Sequence, residues 1–147
     1  MTALTIRADE LITAFEDQSP EMQHYFDRET GEVLTVFLEK VEEMDFEEEE
    51  RLEGDPCRYL RIEPVPSRTG FEIMSDFVDT LPEGRIQREL DQALGKNRPF
   101  RRFKDVLRNY PEVEDDWYRF HEKAYMKIIK EWLDDHGVEA TLVPLQA

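Results

Sequence analysis

Residues 24–37 read HYFDRETGEVLTVF, and this stretch decides the β half of the fold. Apolar and polar residues alternate on both sides of Asp27-Arg28-Glu29-Thr30-Gly31, the pattern of two half-buried strands around a turn. Gly31 supplies the positive φ that a bulged hairpin turn needs. Downstream, residues 57–63 (CRYLRIE) alternate again and read as a third strand beginning at Cys57, stopped by Pro64 and Pro66. Upstream, residues 8–16 (ADELITAFE) place Leu11, Ile12 and Phe15 at helical spacing, a short amphipathic helix. Residues 41–53 are acidic and read as helix, ended by Gly54-Asp55-Pro56.

Beyond Pro66 the period changes from two to 3.6. Ser67 is placed to cap a helix through Val78, with Phe71, Met74, Phe77 and Val78 as its apolar stripe. A second helix near 83–94 turns Ile86, Leu90 and Leu94 inward. Pro99 suits the first position of a third, which carries Phe100, Phe103, Val106 and Leu107. The longest follows Pro111, with Glu112, Glu114, Asp115 and Asp116 complementing its dipole and Gly137 ending it. Its expected buried stripe is Val113, Trp117, Phe120, Ala124, Ile128 and Trp132. The tail VEATLVPL reads as a last strand, at an edge because of Pro144. Strands gathered first and four helices in succession define α+β: a small antiparallel sheet, the hairpin plus one or two strands, packed on those helices.

A chain of 147 residues with sixteen aromatics is expected to form a single globular domain, residues 1–147. No run approaches 18 apolar residues, and the start MTALTIRADE lacks a signal-peptide h-region. Cytoplasmic residence, with no membrane partner, is the expectation. One cysteine, Cys57, excludes an internal disulfide framework and any multi-Cys zinc site.

The net charge is −16, from 35 acids and 19 bases, which opposes general binding of nucleic acid or anionic membrane. The distribution is uneven. Residues 1–56 hold 18 acids and 4 bases, whereas residues 96–108 (KNRPFRRFKDVLR) hold six bases and one acid. The run Glu47-Glu48-Glu49-Glu50 reads as a solvated face, or else as a carboxylate surface for a basic partner.

The hairpin HYFDRETGEV, the segment YLRIEP, the helix FEIMSDFVD, the block FRRFKDVL with Tyr110-Pro111, and the pairs Trp117-Tyr118 and Trp132-Leu133 follow in that order. Together they resemble a bacterial uncharacterised protein family, number 0158 of the UPF series, over about residues 8–136. FRRFKDVL is the most specific element; the stretch 39–55 and the tail after Gly137 lie outside the resemblance. The resemblance implies a shared fold and brings no activity, cofactor or catalytic residue.

Candidate sites therefore come from the residues. On a helical wheel Phe100, Phe103 and Leu107 share one face, Arg101, Lys104 and Arg108 another, and Arg102 lies between. Such a helix buries its apolar side and offers cations to phosphate or carboxylate, unless they pair with the chain's own acids. Tyr110 and Tyr118 are candidate stacking groups beside it. The leading expectation is a non-enzymatic binding or regulatory module holding an anionic protein or nucleic acid on Arg101, Arg102, Lys104, Arg108, Tyr110 and Tyr118. The alternative is a small hydrolase or transferase acting on a phosphorylated substrate, with Asp76 or Asp105 as base. Asp27 and Asp76 read as turn or cap hydrogen-bonding groups. His24, His121 and His136 are too dispersed to suggest metal ligation, Cys57 reads as a core or edge thiol, and no phosphate-cradling glycine motif occurs. No cofactor is called for.

Overall fold

The computed structural model describes residues 4–39 and 43–144. Its elements are β1 (Leu4–Arg7), α1 (Ala8–Glu16), β2 (Met22–Asp27), β3 (Val33–Phe37), α2 (Glu43–Glu53), β4 (Tyr59–Ile62), α3 (Ser67–Thr80), α4 (Arg85–Leu94), α5 (Pro99–Leu107), α6 (Pro111–Asp135) and β5 (Ala140–Val143). The class is α+β, as the order of periods implies. No helix among the described residues is long and apolar enough to cross a membrane. The chain divides into two compact units, one of residues up to Val65 and from Met126 onward, the other Pro66–Tyr125.

In the first unit an antiparallel sheet runs in the order β3-β2-β4, so the hairpin and the third strand form as the alternation demands. His24 faces Thr35 across the hairpin and Ile62 on β4. On one side Tyr25, Val36 and Tyr59 pack with Leu52 of α2, all less than a tenth exposed, with Leu34 beside them. Phe26 and Phe15 instead meet the Trp132 ring edge-on, at 5.9 and 5.5 Å between centroids. α1 buries Ala8, Leu11, Ala14 and Phe15.

Two expectations are corrected here, and one strand lies outside them. The last strand, β5, does not join the antiparallel sheet; it pairs in parallel with β1, Ile6 opposite Leu142. β1 itself escapes the pattern, because four residues with only Ile6 buried show no alternation to read. Cys57 does not begin β4, which starts at Tyr59; it lies exposed in the preceding turn.

The second unit is helical. Phe77, Phe103 and Trp117 meet edge to face, with centroids 5.0–6.5 Å apart, and Phe120 joins at 5.4 Å from Phe77. Ile73, Met74, Val78, Leu90, Ala93, Leu94 and Leu107 are buried in the same unit. Pro99 occupies the first turn of α5, after Arg98 in the left-handed region at φ 54°. Two details differ from expectation. Ser67 is the first helical residue of α3 rather than its cap; Pro66 holds that place and no side chain caps the end. Along α6 the fully buried residues are Trp117, Tyr125, Ile129 and Leu133, while Phe120 and Trp132 lie half-buried beside that row. Tyr125 takes a core place because its ring is apolar even though its edge is polar.

α6 ends as its glycine implies. Gly137 sits at φ 69°, its N–H reaches the Asp134 carbonyl at 3.0 Å, and the Val138 N–H reaches Leu133 at 2.9 Å. This is a Schellman closure with its apolar pair, Leu133 and Val138, buried.

Gly31 and Gly84 make a matched test of backbone constraint. Gly31 stands at φ 80° with a would-be Cβ 3.3 Å from Ile6, whereas Gly84 is extended with nothing within 4 Å. Gly31→Ala is expected to cost about 1–2 kcal/mol in urea unfolding. Gly84→Ala is expected to stay within about 0.5 kcal/mol of the parent.

Candidate functional site

α5 forms where the basic block begins with Pro99 and carries Phe103 and Leu107 inward, both essentially fully buried. That anchoring leaves the opposite side to solvent. Arg101, Arg102, Lys104 and Arg108 are all exposed. Arg101 and Lys104 make no ion pair with any described carboxylate. Arg102 donates from Nε to the Asn97 carbonyl at 2.7 Å, inside the turn that precedes the helix. Arg108 reaches Asp105 at 3.5 Å, a weak exposed contact.

Elsewhere in this unit Arg68 pairs with Glu72, Arg85 with Glu89 and Arg119 with Asp116, each three or four residues away at 3.1 Å. On α5 the one acid within such reach is Asp105, too few for the cations around it. Phe100, Arg101, Lys104, Asp105 and Arg108 line a shallow groove of about 410 Å³. A second groove, about 360 Å³, lies between α4 and α5 and includes Gln92, Lys96, Arg102 and Asn109.

The two tyrosines fare differently. Tyr118 is half-exposed on α6 and lines neither groove. Tyr110 is half-buried and donates to Glu89 at 2.5 Å. That bond holds the phenol above its usual range, and the phenol with Arg85 holds the Glu89 carboxyl below its own. Asp76 and Asp105, the carboxylates considered as bases, are both exposed.

In the first unit, Asp27 is the buried acid, 4% exposed, and it is a turn group as its position implies. Its Oδ1 accepts from the Glu29 and Thr30 amides at 2.9 and 3.4 Å, and Arg58 binds both oxygens at 3.2 and 3.1 Å. Burial opposes ionisation, but Arg58 and the two amides outweigh it and leave the carboxyl below the ordinary range.

His24 was legible as an isolated histidine, yet the structure gives it two partners. Its Nε2 meets Asp17 Oδ2 at 2.6 Å and its Nδ1 meets Thr35 Oγ1 at 2.9 Å. The hydrogen bond to His24, helped by the Ser19 amide, lowers the Asp17 pKa. The signal was the hairpin register: centring the turn on Glu29-Thr30 puts His24 opposite Thr35. His121 lies half-buried between the rings of Trp117 and Tyr125, 5.3 and 4.8 Å away. No cluster of three or more metal-ligating side chains occurs among the described residues.

These features define a class: an α+β protein of two compact units with an uncompensated cationic helix. The chain belongs to the uncharacterised protein family UPF0158, whose model matches residues 1–143. That match includes the acid-rich stretch and most of the tail, which the sequence words alone had left outside. Among curated proteins it is similar to UPF0158 protein PA5073 of Pseudomonas aeruginosa, with 34% identity over 139 residues, 95% of this chain and 88% of the relative. No solved structure matches.

The depressed Asp27 pKa makes a signed prediction. Its contribution to stability is complete above its unfolded value of about 3.9 and is lost as pH falls through the lower folded value. Asp27→Asn is expected to cost about 2 kcal/mol in urea unfolding at neutral pH. The gap to the parent should close on acidification. A gap independent of pH would show that the carboxylate charge is not what Arg58 and the turn amides hold.

Proposed function

We propose that this chain is a non-enzymatic binding module that holds an anionic partner, protein or nucleic acid, on the exposed face of α5. One observation carries the reading: Arg101 and Lys104 are exposed and unpaired among the described residues of a chain with 35 acids. Arg68, Arg85 and Arg119 of the same unit pair with local acids, whereas Arg101 and Lys104 stand together on one face of α5 without such a partner. Arg suits carboxylate and phosphate alike, because its planar fork gives two parallel hydrogen bonds. The uneven charge supports the same unit as the working one. The Pro66–Tyr125 unit carries eleven bases and twelve acids, and the other unit carries eight bases and twenty-three acids. An approaching anion is therefore repelled least by the unit that contains α5.

The test is capture from cell lysate by the parent and by an Arg101→Glu/Arg102→Glu/Lys104→Glu variant, scoring bound protein and nucleic acid separately. The variant is expected to lose at least 10-fold of the captured partner at unchanged circular dichroism. Because Arg102 also binds the Asn97 carbonyl, an Arg101→Gln/Lys104→Gln variant repeats the test without touching that turn. Equal capture by all three proteins would assign the cations to solubility and end the proposal.

A further inference from the structure

We infer that the anionic partner of α5 is a single-stranded nucleic acid, with phosphates on Arg101, Lys104 and Arg108 and a base stacked on Phe100. The inference rests on the reading of α5 as an anion-holding face and narrows it to one chemistry.

Phe100 is the observation that separates nucleic acid from an acidic peptide. It stands 41% exposed on a helix whose other phenylalanine, Phe103, is wholly buried. Its ring lies beside Gly70, where an added Cβ would meet Cε1 at 3.2 Å, and the residue keeps two-fifths of its surface exposed. The same ring lines the groove that holds Arg101, Lys104 and Arg108. An aromatic face among cations is the arrangement by which proteins bind single strands, since every base offers a π-face and every nucleotide a phosphate. A string of carboxylates would use the cations and leave the ring without a partner. A duplex keeps its bases stacked internally and gives Phe100 nothing to receive.

Arg101 and Arg108 stand seven positions apart, about 10 Å along a helix rising 1.5 Å per residue, so a short stretch of strand suffices to meet both. On the adjoining groove, the side-chain amides of Gln92 and Asn109 make no hydrogen bond among the described residues, and they lie with Lys96 and Arg102 and with the acids Glu89 and Asp105. Primary amides pair with base edges, and the cations continue the phosphate track.

The experiment is fluorescence anisotropy on the full chain with three labelled probes of matched charge: an oligoadenylate, the corresponding abasic strand and a polyglutamate. The oligoadenylate is expected to bind about 10-fold more tightly than either other probe. Its affinity should fall with salt at a log–log slope of about −2, three phosphate contacts at about −0.7 each. Phe100→Ala should erase the preference for the base-bearing strand and Phe100→Trp should keep it. The Trp variant guards against a loss that comes from the Gly70 contact alone. Equal binding of the abasic strand or of polyglutamate overturns the nucleic-acid assignment and leaves the anion-holding face standing. Failure of the parent to bind any of the three overturns both.

Discussion

The first unit turns on the buried carboxylate of Asp27. A carboxylate is costly to remove from water unless donors surround it, and this one has two turn amides and the fork of Arg58. Those donors come from different parts of the chain. The amides belong to the hairpin turn, and Arg58 precedes β4, which Asp27 already faces through Tyr59. One group therefore fixes the turn and the register of the third strand together, and makes β2 the central strand. The Arg28 amide extends the ladder to the Arg58 carbonyl at 3.0 Å. The Arg28 guanidinium reaches the carbonyls of Cys57 and His136 at 3.4 and 3.2 Å, tying the end of α6 to the same corner.

The second unit depends on rings rather than charge. Phe77, Phe103 and Trp117 interlock, and each comes from a different helix. Because Phe103 is committed to that cluster, the side of α5 that carries Arg101 and Lys104 is fixed outward by packing. The character of the surface follows from the core beneath it. Local pairing absorbs Arg68, Arg85 and Arg119, whereas on α5 the one acid, Asp105, meets only Arg108.

Much of this was legible because it is local. The bounds of the first helix, the hairpin and its Gly31, the Pro99 start and the Gly137 stop are written in adjacent residues. The faces of α5 follow from spacing alone. What escaped was non-local. β1 is visible only through β5, which lies more than 130 residues away, and a four-residue strand has no period of its own. The Asp17–His24–Thr35 chain needs the hairpin register, not the composition around any one of its members. Ser67 shows a different failure, since a residue suited to capping lost the position to a proline with compatible backbone angles. Along α6 the buried row runs one position later than the wheel places it, at Tyr125, Ile129 and Leu133 rather than Ala124, Ile128 and Trp132.

The pairing of β1 with β5 carries a consequence for the order of events in time. The first unit is assembled from two stretches of chain, and the second is one continuous stretch set between them. During synthesis the residues of the second unit are complete before β5 exists, so its helices can settle with mostly short-range closures. β1 must wait, its backbone donors and acceptors open, until almost the last described residues emerge. The sheet pair that closes the first unit must therefore wait for its late partner and, until it forms, leaves β1 open to pairing with a wrong strand.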